Sequence, residues 1–169
     1  MNEAARKKRN RDRLAECHPG FAAPLAKLIE RLEEQGFRPR IQDAWRSPER
    51  QKELFAAGKS KLEWGFHNPT GPNGEKEALA VDLLDDDQPL GPSSRYVLTL
   101  AALAGDLGLR TGALWGLSKN LREATADAIA QRKYGAEVKI GWDPCHVEIT
   151  GISVAAARDQ GKRPTVQPA

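Results

Sequence analysis

The chain has 169 residues, 40% of them hydrophobic and 29% charged, with a formal net charge of +3. This length suits one domain with a hydrophobic core, and the mild charge permits attraction to anionic polymers without requiring it. No apolar run is long enough to cross a bilayer, and residues 1–13 lack the hydrophobic segment of a secretory signal. We expect a monomer that does not insert into membranes.

The first segment is basic and almost entirely polar. Residues 3–16 favour a helix, and six positive charges lie between Arg6 and Arg13. This composition predicts a solvated, frayed helix or arm over residues 1–17. Contact with phosphate is the alternative, but no aromatic residues are interleaved for base stacking, so we expect no nucleic-acid partner. His18 precedes Pro19-Gly20 and is interpreted as a turn or capping residue.

The middle of the chain alternates between helical and extended patterns. Residues 24–35 carry an apolar stripe at helical spacing and stop at Gly36. A strand is predicted over 37–45, followed by a helix to about residue 57 that Ser47 caps. Residues 68–76 are dense in turn formers and predict a loop. Further helices are predicted over about 93–107 and 120–132, and the tail 153–169 is predicted to be disordered at its end.

Two short runs alternate with the period of a β-strand. In residues 145–150, Cys145, Val147 and Ile149 point to one face, whereas His146 and Glu148 point to the other. The run 78–84 places Asp82 among small alanines, where a buried carboxylate is costly unless it is paired or bound to a metal. With helices early and strands that carry these residues, we predict an α+β fold with a small antiparallel sheet.

Three ionisable residues outside any compact motif are candidate ligands. His67, Asp82 and His146 form a plausible catalytic zinc set, with water in the fourth position and Asp143 nearby to handle protons. The alternative is that Asp82 bonds backbone amides and that both histidines are ordinary polar packing residues. The spacing alone leaves both interpretations open.

Arg46 lies at a predicted strand-to-helix corner, and Gln51 lies one turn into that helix. A guanidinium at this corner can bind a substrate carboxylate or a developing oxyanion, or it can form a surface ion pair of little consequence. The two cysteines, Cys17 and Cys145, are predicted to be free thiols, because the lack of a secretory signal indicates a reducing compartment.

Four of these elements, in this order, resemble the zinc peptidases that cut peptidoglycan stem peptides. The family pattern is an aromatic-Arg-Ser corner with a Gln-bearing helix, then Ser-x-His, a Gly-x-Ala-x-Asp strand and Asp/Glu-x-x-His; this chain has Gly65 in place of the serine. The corresponding stretches are residues 45–51, 65–67, 79–82 and 143–146, and the match covers about residues 18–150. The family includes D-alanyl-D-alanine carboxypeptidases, D,D-dipeptidases and the L-alanyl-D-glutamate endopeptidases of bacteriophage lysis systems.

The resemblance implies a role for each matching position. Zinc would be held by His67, Asp82 and His146, Asp143 would be the general base and then the general acid, and Arg46 would bind the scissile carbonyl oxygen as it becomes negative. Three further positions are expected to support the site or contact substrate: Gln51, Trp115 and Glu148, of which Glu148 is suited to orient a ligand ring.

The domain expected to carry this activity spans residues 18–152. The expected function is a phage-type endolysin that cuts the L-alanyl-D-glutamate bond of peptidoglycan, held in the cytoplasm until it is released to the cell wall. The alternatives are a D-alanyl-D-alanine carboxypeptidase and a non-catalytic zinc module that binds wall peptide.

Overall fold

The computed structural model describes residues 1–166 and 168, and within them the chain forms six helices and one four-stranded sheet. This confirms the predicted α+β class. The elements, in chain order, are α1 (Glu3–Leu14), α2 (Pro19–Glu34), β1 (Pro39–Asp43), α3 (Pro48–Ala56), β2 (Ala80–Asp85), α4 (Ser94–Asp106), β3 (Leu109–Gly112), α5 (Lys119–Ala130), β4 (Asp143–Ile149) and α6 (Val154–Asp159).

The sheet has the order β1-β2-β4-β3, and every neighbouring pair is antiparallel. The alternation predicted for β2 and β4 is present: Val81, Leu83, Val147 and Ile149 are buried in the main hydrophobic cluster. That cluster also contains the apolar faces of α2 and α4. Because side chains alternate across a strand, the polar residues between these positions lie on the opposite face of the sheet.

Side-chain caps fix the starts of several helices. The imidazole Nδ1 of His18 accepts from the backbone N–H of Gly20 at 3.1 Å, so the predicted capping role of His18 is confirmed. Helix α2 begins at Pro19, five residues before the start that the apolar stripe predicts at Pro24, and it continues through that proline. Ser47 and Ser93 cap α3 and α4, as expected from their positions.

The first helix forms as predicted and most of its residues are exposed, but the expectation that it is frayed and fully solvated is wrong. Arg6 and Asn10 in α1 are buried, with 1% and 5% of their surface exposed. Arg6 Nη1 and Asn10 Nδ2 donate to the carbonyl of Pro39 at 2.6 and 2.9 Å, and Asn10 Oδ1 accepts from the Ile41 N–H at 2.8 Å. The helix therefore covers the edge strand β1 with polar side chains that satisfy its unpaired backbone groups. A hydrophobic stripe is not needed for that kind of docking.

The C-terminal tail returns to the domain after α6. Arg163 Nε donates to Glu77 Oε2 at 2.6 Å, and Pro164 lies so close to Gly20 that a Cβ there would sit 2.8 Å from the Pro164 carbonyl oxygen. The predicted disorder is therefore wrong up to these residues. The same prediction also covers Gln167 and Ala169, which lie outside the described residues.

The remaining connections agree with the expectations. Residues 68–76 form a loop closed by a bridge between Thr70 and Lys76. Cys17 and Cys145 are both buried and free. In the described part of the chain, no helix is long and apolar enough to span a bilayer.

Candidate active site

Three predicted ligand residues converge on the polar face of the sheet. Asp82 on β2 and His146 on β4 are cross-strand partners, and Asp82 Oδ1 lies 3.7 Å from His146 Nδ1. His67 comes from the loop before β2, and its Nε2 lies 3.8 Å from the same carboxylate oxygen. One ligand atom from each residue lies within 4.8 Å of the others. The arrangement can therefore hold a single metal ion.

Hydrogen bonds orient both imidazole rings toward that position. His67 Nδ1 is 2.6 Å from the carbonyl oxygen of Ala44, and His146 Nε2 is 2.7 Å from Glu148 Oε2. Because both partners are acceptors, these nitrogens carry protons. The other nitrogen of each ring, Nε2 of His67 and Nδ1 of His146, faces Asp82. It offers a lone pair to a metal ion once the ring is neutral.

The spacing and chemistry of the donors fit zinc. A tetrahedral ion about 2.1 Å from each ligand separates the ligand atoms by about 3.4 Å, close to the 3.7 and 3.8 Å found here. Two imidazoles and one carboxylate leave a fourth position open, as in catalytic rather than structural zinc sites. His67 and His146 are buried and Asp82 is half-buried, which limits competition from solvent.

The protonation of the three ligand residues follows from burial and mutual charge. Burial lowers the pKa of His67. Burial also lowers the pKa of His146, but its contacts with Asp82 and Glu148 outweigh this effect and raise the pKa to about 9. Burial raises the pKa of Asp82, yet the neighbouring His146, His67 and Arg46 bring it below its ordinary value. These neighbours therefore favour the ionised form of Asp82.

Glu148, one of the residues expected to support the site, contacts the ring of His146. Only 5% of its surface is exposed, and Arg110 on β3 donates to its other oxygen, Oε1, from Nε at 2.6 Å. Arg110 and Glu148 are cross-strand partners, so the sheet register brings them together. Burial raises the pKa of Glu148, but the contacts with His146 and Arg110 outweigh this effect and bring the pKa below its ordinary value. The ionised carboxylate is therefore favoured beside the ring.

A tight turn positions His67. The side-chain oxygen of Asn68 accepts from the Gly65 N–H at 2.7 Å, and Asn68 Nδ2 donates to the Arg46 carbonyl at 2.8 Å. The backbone N–H of Arg46 in turn donates to the His67 carbonyl at 2.8 Å. Asn68 is 1% exposed, so this bridge between the two segments is shielded from water. It fixes the ring of His67 against the end of β1.

Asp143, the predicted general base, stands at the start of β4. Its Oδ2 is 3.9 Å from His146 Nδ1, and the carboxylate lines the same cleft as the three candidate ligands. Burial and the nearby charge of Asp82 raise the pKa of Asp143. The strand pairing shifts register next to Gly112, and a Cβ at that glycine would be 2.1 Å from the Asp143 carbonyl oxygen. The close backbone approach that places Asp143 therefore requires glycine at 112.

Arg46 lies in the cleft rather than on the open surface. Its Nε and Nη2 donate to Asp43 Oδ2 at 3.0 and 2.5 Å, and Nη1 donates to Gln51 Oε1 at 2.8 Å. Nη2 also lies 3.9 Å from Asp82 Oδ2. The guanidinium is thus held between two cross-strand aspartates, Asp43 and Asp82, whose mutual repulsion it offsets. This rigid cation beside the candidate metal position suits it to bind a negatively charged oxygen.

The cleft has a volume of about 360 Å³, within the range of small-molecule sites. Trp115 forms part of its wall, with its ring centre 5.0 Å from that of His146. Trp142 lies next to Trp115 at 5.8 Å and is 55% exposed. Gly116, at φ +77°, lies against the Trp142 ring, where a Cβ would be 2.9 Å from Cδ1. These two tryptophans give the cleft an apolar wall beside its charged floor.

Four residues that contribute to the site were not singled out from the sequence: Asp43, Asn68, Arg110 and Trp142. Asn68 directly follows a candidate ligand in a turn-rich stretch, and an Asx-type turn there was a detectable signal. No local sequence pattern marks Asp43 or Arg110, because their roles depend on which strands are neighbours in the sheet. Trp142 precedes Asp143 and belongs to the stretch that carries the last motif.

The fold and the site together define an α+β protein with a three-ligand His/Asp/His centre in an open cleft. No protein-family model matches the chain, and no curated protein matches it. Among solved structures, the chain is similar to the crystal structure of Serratia marcescens L-Ala D-Glu endopeptidase ChiX, with a TM-score of 0.51 and 18% sequence identity. The likeness covers 91% of this chain and 91% of that chain. It establishes that the two share a fold.

Proposed function

We propose that the protein is a zinc-dependent peptidase that hydrolyses peptide bonds in peptidoglycan stem peptides, with the L-alanyl-D-glutamate bond as its preferred target. The observation that carries the proposal is the convergence of His67, Asp82 and His146, each with its donor atom aimed at one point beside Asp143 and Arg46. The substrate class is supported by the fold shared with ChiX, which is described as an L-Ala D-Glu endopeptidase, and by the motif order in residues 45–146.

The proposed chemistry divides between the ion and the side chains. When bound, zinc supplies a Lewis acid and lowers the pKa of water toward about 7, so that a nucleophile is available at neutral pH. Asp143 accepts the proton of the attacking water at a carboxylate oxygen and then donates it to the departing amine. Its raised pKa suits both steps, because a carboxylate that is too acidic returns a proton poorly.

Arg46 is proposed to stabilise negative charge on the scissile carbonyl oxygen. The guanidinium is already held by Asp43 and Gln51, so it needs little reorganisation when that charge develops. Trp115 and Trp142 are proposed to pack against the peptide and shield the reacting groups from water. Glu148 keeps the ring of His146 in the tautomer that a metal requires.

The test combines metal analysis with product analysis on purified peptidoglycan. We expect one zinc per chain, lytic activity that a chelator abolishes and added zinc restores, and mass spectra that show new D-glutamate amino termini. Release of D-alanine instead would assign the D-alanyl-D-alanine carboxypeptidase activity. Bound zinc without hydrolysis of any bond would overturn the enzymatic proposal and leave a zinc module that binds wall peptide.

The biological setting is also part of the proposal. We propose a phage-type endolysin that acts on the cell wall after the membrane is permeabilised. Expression in a bacterial host tests this: lysis is expected only when the membrane is opened by a separate agent. Lysis by the chain alone, or none after the membrane is opened, would count against this setting.

A further inference from the structure

Two lysines on the rim of the cleft have no assigned part in the proposed chemistry. Lys59 and Lys61, here called the rim lysines, lie on the segment between α3 and His67 and line the same cavity as the candidate metal site. Both are exposed, and neither forms an ion pair with a carboxylate among residues 1–166 and 168. Unpaired ammonium groups beside a cleft attract anionic ligands.

The segment that carries the rim lysines is fixed to the catalytic machinery by one buried side chain. Gln51, 3% exposed, donates from Nε2 to Ser60 Oγ at 2.7 Å and to the Leu62 carbonyl at 2.5 Å. The oxygen of the same amide accepts from Arg46 at 2.8 Å. The backbone that carries the rim lysines is therefore fixed relative to Arg46, as the scaffold of a recognition element needs to be.

The lining of the cleft carries both signs of charge. Its carboxylates are Asp82, Asp143 and Glu148, and its positive groups are the rim lysines and Arg46, which lies beside Asp82. Lys61 Nζ lies 5.7 Å from the ring centre of Trp142, so this ammonium is held over an aromatic face on the cleft wall. A ligand that carries an anionic group in addition to its reacting carbonyl group complements the rim lysines.

We infer that the rim lysines form a carboxylate subsite, which binds an acidic group of the peptide next to the scissile bond. This inference rests on the proposed function and adds a specificity that it does not contain. A glutamyl residue joined onward through one carboxyl group keeps its other carboxylate, so the residue after an L-alanyl-D-glutamate bond presents such a group. The subsite favours that carboxylate over its neutral amide, because only the carboxylate gains from the two ammonium groups.

The experiment compares kcat/KM for synthetic stem peptides that differ only in this group, one with the D-glutamyl carboxylate and one with the carboxamide. The zinc-loaded wild-type protein is expected to prefer the carboxylate by about tenfold at low salt, and less as ionic strength rises. The double variant Lys59→Gln/Lys61→Gln is expected to bring the ratio close to one. A third peptide, amidated at a carboxylate further along, identifies which acidic residue is bound.

The matched control is Lys27→Gln, which removes the same charge from α2, outside the cleft. It is expected to leave the wild-type preference unchanged. A preference that persists in the double variant, or one that Lys27→Gln removes equally, would overturn the inference. Binding of the two peptides to the Asp143→Asn variant, measured by calorimetry, is expected to show the same preference in Kd.

Failure of the proposed function has a different signature. If the wild-type protein hydrolyses neither peptide, the peptidase proposal fails, and the calorimetric comparison alone decides the subsite. Equal Kd values for carboxylate and carboxamide peptides would then overturn the inference. Tighter binding of the carboxylate that depends on the rim lysines would support it without catalysis.

Discussion

Glu148 holds the ring of His146 two residues away on the same face of β4, through a 2.7 Å contact between Nε2 and Oε2. Arg110 holds the other oxygen of Glu148 from the neighbouring strand. The orientation of a candidate metal ligand is therefore set by a chain of two contacts, which begins at the buried His146–Glu148 pair and ends at the exposed Arg110 on β3. This chain predicts that a residue with no contact to the metal influences how tightly the metal is bound.

Replacing Glu148 with alanine is expected to weaken zinc binding by about 10- to 100-fold, because the ring of His146 loses its acceptor and its preferred tautomer. Competition with a chromophoric chelator measures the affinity. Glu148→Gln keeps an acceptor but loses the charge, and its affinity is expected to lie between those of alanine and wild type. The exposed Glu137→Gln is the control and should bind zinc normally. Unchanged affinity in Glu148→Ala would contradict the role given to this contact.

Asp143→Asn is expected to lower kcat by about 10²- to 10⁴-fold while zinc remains bound, because the amide cannot accept the proton of the attacking water. The measurement pairs turnover of a stem peptide with the zinc content of the same sample. Loss of zinc together with activity would instead identify Asp143 as a ligand, and turnover near the wild-type rate would remove it from the mechanism.

Asn10→Ala is expected to lower the free energy of unfolding by about 1–3 kcal/mol, because the buried Pro39 carbonyl and Ile41 N–H lose hydrogen-bond partners. Urea denaturation followed by circular dichroism measures the change. Arg11→Ala, at an exposed position of the same helix, should shift stability by less than about 0.5 kcal/mol. Equal small effects of the two substitutions would mean that α1 docks weakly on β1.

The ion pair between Glu3 and Arg6 predicts a dependence of stability on pH. Hydrogen bonding to Arg6, together with the charges around it, lowers the pKa of Glu3 from 4.5 to about 2. Because the folded-state pKa is depressed, this contribution is complete above about pH 4.5 and is lost as the pH falls toward 2. Relative to wild type, Glu3→Gln is expected to have a lower thermal midpoint at pH 7, and the difference should shrink below pH 4.5. The control is Glu34→Gln at an exposed position. A difference in thermal midpoint between Glu3→Gln and wild type that stays constant as the pH falls would refute the prediction.

The ligand residues of the candidate centre could be predicted because ionisable side chains are unusual in strand patterns that otherwise look buried. Asp82 lies between alanines in a buried-looking strand, and the period of two places His146 and Glu148 on one face whatever the neighbouring strands are. The structure adds the register that makes Asp82 and His146 partners. That register depends on pairing between segments about sixty residues apart, which no local pattern specifies.

The docking of α1 could not be predicted, because burial was inferred from apolar residues alone. Arg6 and Asn10 are buried by hydrogen bonds to an edge strand, and nothing in residues 3–16 indicates where that edge lies. The supports of Arg46 and His67 were missed for a related reason. Asp43 and Asn68 act across segments that are brought together only by the fold.

Because Asp82 and His146 are cross-strand partners, the candidate metal centre is complete only when the two middle strands, β2 and β4, pair in the correct register. Sliding β4 by one position along β2 would turn the imidazole to the apolar side and bring a thiol or an aliphatic group to the ion in its place. A misaligned chain would then lack a complete set of donors. If the site binds zinc as proposed, capture of the ion during refolding should accordingly coincide with correct alignment of these strands and stabilise that alignment.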